Sequence, residues 1–409
     1  MKKFLFLFLF SFAVTFGQPF HKQIYTQTVI IPGDSVSSVY FLCKIPYRNL
    51  VFLKDNNRYT AGFRLYLEIT DTNSNFVRRE IKDWEIQSSS FQETDSPEIF
   101  AEGLIEIKLP EGSYYILPIF TDKNASEIKL EKVRVDVLDK EYLEPLIVDT
   151  EKAKCNDKDF TRFTNFGDSI PFGKEECDFI IPVTDTSKDK ISVTVIIQED
   201  TVYNGELSKS FISHINLKEC DGKVLISDMN QGIKTRNYIL PGLSNKLQEG
   251  PFFIIVNNNK EIKLKKEVLW YDKPFSLMDP EAAIKALKSI EKEDVVDSLL
   301  DLKKDSMYKG LVNYWKKLDP TPETEYNELM TEFYTRVDYT LKNFSTISGI
   351  KGIQSDRGKV FIKYGKPDKT ERSSNLQGKV VETWIYDKLH RKFVFVDEDG
   401  TGEFSLESS

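Results

Sequence analysis

Leu109-Pro-Glu-Gly-Ser-Tyr-Tyr-Ile116 returns further along the chain as Leu247-Gln-Glu-Gly-Pro-Phe-Phe-Ile254. In each copy a turn leads into an apolar, aromatic run with the composition of a strand. Three more pairs keep the same order. Gly33-Asp-Ser-Val36 matches Gly167-Asp-Ser-Ile170. Cys43-Lys-Ile-Pro46 matches Cys177-Asp-Phe-Ile-Ile-Pro182, and Glu127-Ile-Lys-Leu-Glu-Lys-Val133 matches Glu261-Ile-Lys-Leu-Lys-Lys-Glu267. In chain order the offsets are 134, 134, 138 and 134 residues. Matches at nearly one offset mark a duplication. Each copy is long enough to hold its own core, so two copies make tandem domains and not a solenoid.

The text around these landmarks reads as β. Val39-Tyr-Phe-Leu-Cys-Lys-Ile45 is apolar and strand-like, and Phe63-Arg-Leu-Tyr-Leu-Glu-Ile69 alternates as a half-buried strand must. Leu104-Ile-Glu-Ile-Lys-Leu109 alternates too, and Val133-Arg-Val-Asp-Val137 closes the set. Short strands at such spacing predict antiparallel sandwiches.

The character changes at Asp279-Pro280, a good N-cap followed by a residue suited to the first helical turn. Ala283, Ile284, Leu287 and Ile290 recur at helical spacing, as do Val295, Val296, Leu299 and Leu300, then Tyr308, Leu311, Val312, Trp315 and Leu318. Asp319-Pro-Thr-Pro322 breaks the chain, and Thr321 as N-cap with Pro322 at N1 is expected to restart it. The longest helix then carries Tyr326, Leu329, Met330, Phe333, Val337, Leu341 and Phe344 on one face. After Gly349 the period becomes two. Lys359-Val-Phe-Ile-Lys-Tyr364, Thr383-Trp-Ile-Tyr386 and Lys392-Phe-Val-Phe-Val396 are expected strands, with Gly402-Glu-Phe-Ser-Leu406 a fourth.

The N-terminus is an address. Lys2 and Lys3 precede an apolar run from Phe4 to Phe16, and Gly17 and Gln18 lead into polar sequence. That is a signal segment, expected to be cut after Gly17. The expected organisation is therefore a signal peptide over 1–17, a first β-sandwich over 18–148 and a second, its repeat, over 149–274. A helical segment with a small antiparallel sheet, an α+β unit, follows over 275–409.

Composition bounds the function. The chain of 409 residues holds 56 Lys plus Arg against 64 Asp plus Glu. That balance lacks the basic footprint of a general nucleic-acid binder. Four cysteines, Cys43, Cys155, Cys177 and Cys220, and three histidines, His21, His214 and His390, offer no zinc spacing, and no metal or cofactor is expected. Export permits disulfides; one bridge is expected among Cys155, Cys177 and Cys220, with Cys43 buried as a small hydrophobe.

One stretch carries a resemblance. Gly352-Ile-Gln-Ser-Asp-Arg-Gly358 leads to Tyr364-Gly-Lys-Pro-Asp368, and Glu382-Thr-Trp-Ile-Tyr386 follows. It resembles the GWxTD domain, found in secreted proteins mainly of the Bacteroidota and without a defined activity. The Gly-Trp-x-Thr-Asp signature reads here Gly352, Ile353, Gln354, Ser355, Asp356, with Ile for Trp and Ser for Thr. The candidate motif residues are Gly352, Ser355, Asp356, Arg357, Gly358, Tyr364, Gly365, Pro367, Asp368 and Trp384. Asp356 and Arg357 are expected in a turn, the carboxylate accepting backbone N–H bonds. The guanidinium is expected to clamp a helix carboxylate such as Glu325, Glu332 or Asp338. Tyr364-Gly-Lys-Pro367 reads as a hairpin turn.

Two Gly-Asp-Ser triplets and Asp387-x-x-His390 suggest the serine nucleophile of the GDSL hydrolases. No helix signal follows either triplet, and both sit at equivalent points of a repeat, where turn residues are expected. The first functional reading is a non-enzymatic exported protein, periplasmic or at the cell surface, that contacts an envelope protein or glycan. The alternative is a hydrolase of a cell-wall or glycan substrate, using Asp356 and Arg357 with Tyr364 or Glu382. A third is an accessory part of an envelope assembly, docking through exposed Tyr308, Trp315 or Phe333.

Overall fold

The computed structural model describes residues 24–96, 99–125, 127–164, 167, 169–173, 175–228, 232–256, 262–346 and 351–408. The signal segment with its cut after Gly17, together with His21, Asp168 and Glu261, lies outside the described residues. Most elements are strands in antiparallel sheets; apart from the single turn Phe91–Thr94, the α-helices fall in the C-terminal half, ahead of a small final sheet. By Cα proximity there are two compact units. The first holds 24–27, 41–105 and 113–135; the second holds 28–40, 106–112 and 136–408.

In the first unit, alternation builds the main sheet. Phe63, Leu65, Leu67 and Ile69 are fully buried along Arg58–Asp71, while Arg64 between them is exposed. Phe63 stacks on Trp84 at 4.8 Å and on Phe120 at 5.5 Å. Arg58–Asp71 pairs on one edge with Leu53–Asp55 and Gly112–Asp122, and on the other with Phe76–Ser88. Apart from that unit's main sheet, strands Tyr25–Ile31, Ser37–Pro46 and Phe100–Leu109 form a three-stranded sheet in that order, and Cys43 in its central strand is buried.

The second unit repeats these neighbour relations. The hairpin Ile191–Ile197/Asp200–Leu207 pairs with Gly250–Val256, which pairs with Lys263–Leu269. Leu146–Cys155, Cys177–Val183 and Thr235–Leu240 are adjacent in a seven-stranded sheet, matching the three-stranded one. The two sheets share one core. Phe179, Ile181, Val183 and Tyr238 come from one, Val193, Val195, Phe252 and Ile254 from the other. Cys155 and Cys220 are disulfide-bonded and Cys177 is a buried thiol. A disulfide closing a loop of this length restricts the unfolded chain.

The terminal region packs as expected in outline. Helix α1 is Pro280–Ala286, and Asp279 caps it by accepting from the N–H groups of Glu281 and Ala282. Then come α2 (Glu293–Leu300), α3 (Lys304–Lys316), α4 (Glu328–Asn343) and α5 (Asp356–Tyr364). The sheet follows as β1 (Lys369–Ser374), β2 (Val380–Tyr386), β3 (Arg391–Asp397) and β4 (Phe404–Ser408), all antiparallel in sequence order. Trp315, Phe333, Tyr334, Val337 and Ile362 form a helical core that also takes in Trp270, from the segment before α1. Among the described residues no helix is long and apolar enough to cross a membrane.

Three expectations change. The longest helix starts at Glu328, not Pro322. Thr321 Oγ1 donates to Glu328 at 2.7 Å instead of capping, Glu325 N donates to Asn245 O at 2.8 Å, and Asn327 Oδ1 caps α4 through Met330 N. Trp315 and Phe333 are buried, so they form core and no docking patch. Lys359–Tyr364 is helix α5, not a strand. Its apolar residues also fit helical spacing, and a cap at Ser355 decides between the two periods.

Candidate functional site

The signature builds the start of α5. Ser355 Oγ donates to Gly352 O at 2.7 Å and accepts from Gly358 N at 3.0 Å, so one hydroxyl closes the loop and caps the helix. Both glycines are required by close approach. A Cβ on Gly352 would lie 1.8 Å from Thr340 O of α4, and one on Gly358 would lie 1.8 Å from Gly352 O. Gly352 N donates to Ser345 Oγ at 2.9 Å, tying the loop back to the end of α4. Ile353, where the family signature has Trp, is half-buried against the helical core.

Asp356 and Arg357 reach the sheet and not the long helix. Asp356 Oδ2 accepts from Leu406 N of β4 at 3.0 Å, and Oδ1 accepts from Lys359 Nζ at 3.1 Å. The Leu406 N–H first, and Lys359 beside it, hold this carboxyl below the usual aspartate range. Arg357 is buried. Its guanidinium lies 4.0 Å from the Phe404 ring centre and 5.0 Å from that of Phe344, and Nη2 donates to Gly402 O at 3.2 Å. Its Nη1 stands 3.7 Å from Glu382 Oε2, and its buried Nε has no hydrogen-bond partner. Burial pulls the Arg357 pKa down, and the Glu382 charge opposes the pull.

Glu382, on β2, is the hub. Its Oε1 accepts from Trp384 Nε1 at 2.7 Å and its Oε2 from Arg372 Nε at 3.0 Å. Trp384 in turn packs against Phe344, Phe361 and Phe395. The loop that supplies Gly402 is held by Asp397, which accepts from the N–H groups of Thr401 and Gly402. A buried charge needs such partners. Two of the three anticipated carboxylates are used elsewhere, and Glu325 lies ahead of α4. Glu332 pairs with Arg336, and Asp338 accepts from the N–H groups of Phe275 and Ser276. Glu325 contributes its backbone N–H to Asn245.

The C-terminal end of α5 holds the rest of the motif. Gly365 has φ of +77°, a conformation that favours glycine, and follows the last turn of the helix, where a hairpin was expected. Arg336 donates to Ile362 O at 3.0 Å and caps that end from α4. Tyr386 donates to Gly365 O at 2.8 Å, its pKa raised by burial. Tyr364 packs on Tyr386 and Phe393, Pro367 continues the chain toward β1, and Asp368 Oδ2 accepts from Asp387 N at 2.7 Å. Sequence reasoning missed Arg372, Gly402, Phe344 and Phe404 as the surroundings of Arg357. The apolar stripe through Phe344 and the short strand pattern through Phe404 were the available signals.

The other candidates stand apart. Ser169 is buried and donates to Gly167 O at 3.0 Å, so its hydroxyl is committed to backbone. Ser35 is exposed in a loop, and His390 sits just past a short helical turn on the terminal domain, at a surface depression lined by Leu389, Arg391, Lys392, Val394 and Ser408. His214 Nδ1 lies 3.5 Å from Asp228.

Residues 251–406 match the family model of the GWxTD domain. The match begins inside strand Gly250–Val256, upstream of α1, which accords with Trp270 belonging to the helical core. No curated protein matches the chain.

Proposed function

We propose that this chain is an exported envelope protein, periplasmic or at the cell surface, that acts as a non-enzymatic binding or structural module for an envelope protein or glycan. One observation carries the reading. The polar groups that the motif offers chemistry are engaged within the domain: Ser355 Oγ on the loop, Asp356 on β4 and Lys359, and the Arg357 and Glu382 charges buried near each other. A general acid or nucleophile needs a group free to reach substrate. Asp356 is instead bonded to a strand backbone, and Glu382 is buried with Trp384 and Arg372. Export is supported by Lys2 and Lys3 ahead of the apolar run Phe4–Phe16.

The test is capture from envelope fractions with the full chain as bait, alongside Asp356→Ala and Arg357→Ala. Variants that fold as wild type are expected to recover the same partner. Folded variants that recover nothing would show that the motif is the contact site.

A further inference from the structure

The first unit has an open sheet edge. Strand Phe76–Ser88 pairs with Arg58–Asp71 and, among the described residues, with no other strand. Its register is unbroken from Tyr59↔Ser88 to Ile69↔Arg78. Trp84 and Ser88 are buried on one side of it, where Glu80 and Ile86 are half-buried, Phe76 and Lys82 are exposed, Lys82 Nζ donates to Leu104 O and Glu80 pairs with Arg78; on the other side Arg79, Ile81, Asp83, Glu85 and Gln87 are exposed. Ile81 is 55% exposed in the middle of the strand. Outward N–H and C=O groups of a long edge strand are a template for a further strand.

The charge order selects what pairs there. Arg79-Glu80-Ile81-Lys82-Asp83 reads plus, minus, apolar, plus, minus. A two-fold axis at Ile81 sets Arg79 opposite the second copy's Asp83, Glu80 opposite its Lys82, and Ile81 opposite itself. No like charges meet, and facing residues stay on the same side of the sheet because their numbers differ by an even count. Within one chain the neighbouring strand already places Glu68 beside Arg79 and Arg64 beside Asp83, Arg64 Nε lying 2.9 Å from the carboxylate. Across two copies the row would run Glu68, Arg79, then Asp83 and Arg64 of the second chain, alternating throughout.

The duplicated counterpart is a control. Asp200–Leu207 is the edge strand at the same place in the five-stranded sheet of the second unit, but its sequence Asp-Thr-Val-Tyr-Asn-Gly-Glu-Leu has acidic residues and no basic one. It cannot form such pairs with itself.

We propose that Phe76–Ser88 is a homodimer interface at which two copies of this chain pair antiparallel about Ile81 and join their sheets. The contact is isologous, so each pair occurs twice. The test is sedimentation equilibrium of the full chain over a concentration series, with circular dichroism to verify folding. Arg79→Asp sets carboxylates opposite each other at both ends of the axis, and Asp83→Arg does the same with guanidinium groups. Each is expected to weaken self-association about tenfold or more. Mixed in equal amounts, the two variants regain both opposite-charge pairs and are expected to associate as the wild type does. A wild type that stays monomeric, a single variant that self-associates as wild type, or a mixture no tighter than its components would overturn the proposal.

Discussion

Gly358→Ala separates the ordinary rule from the local geometry. At an open helical position this change stabilises by about 1 kcal/mol, because alanine loses less backbone entropy. Here the added Cβ would sit 1.8 Å from Gly352 O and 2.9 Å from its carbonyl carbon. Gly352 cannot retreat toward α4, because it already lies against Thr340 backbone. Relief requires moving the Gly352 carbonyl, which accepts from Ser355 Oγ, and the same hydroxyl caps Gly358 N. Losing the cap costs about 1 kcal/mol. The Ser355–Gly352 hydrogen bond costs about 1 kcal/mol more, and the residual overpacking about 1–3 kcal/mol. Set against the propensity gain, the net is about 2–4 kcal/mol of destabilisation. Thermal unfolding should fall on the order of 10 °C, with faster hydrogen exchange in peptides covering 352–364. Gly173→Ala is the control, since a Cβ there meets nothing within 4 Å, and it should change stability by less than about 0.5 kcal/mol. If Gly358→Ala melts at or above the wild type, the reading of the signature is wrong.

Other perturbations follow from the same contacts. Arg357→Ala removes the guanidinium from between Phe344 and Phe404 and takes one cation from buried Glu382, which keeps Arg372; about 3 kcal/mol should be lost in thermal melts. Arg357→Met refills the space and removes the unpartnered Nε, so its loss should be about half as large. Asp356 has a folded pKa below its unfolded value, so its contribution is present above about pH 4 and vanishes as pH falls through the folded pKa. Asp356→Asn should therefore lower the melting temperature at pH 6 and match the wild type at strongly acid pH. Reducing Cys155–Cys220, which are 65 residues apart, should destabilise the unit that holds the seven-stranded sheet by up to about 4 kcal/mol. Thiol titration of the unfolded, unreduced chain should find Cys43 and Cys177 only.

Much of the fold was legible because burial imposes a period. Phe63 to Ile69 alternates because one face is core, and the stripe through Met330, Phe333 and Val337 is helical for the same reason. Strand Phe76–Ser88 escaped notice because only part of one face is buried, so charge pattern replaces apolar pattern there. Helix α5 was misread for a different reason. Val360 and Ile362 between lysines mimic a strand, and Gly358 argues against a helix unless its close contact with Gly352 is known. The Arg357 environment could not be read from spacing, since Phe344, Glu382 and Gly402 meet only after the sheet folds onto α5.

One hydroxyl, Ser355 Oγ, holds the signature loop to the start of α5. Native-state hydrogen exchange of the α5 amides in wild type and Ser355→Ala tests it by removing a single oxygen. The predicted result is exchange about tenfold faster in Ser355→Ala, equivalent to about 1.4 kcal/mol. Unchanged rates in a folded variant would contradict it, because the loop would then hold its shape without the bond that defines it.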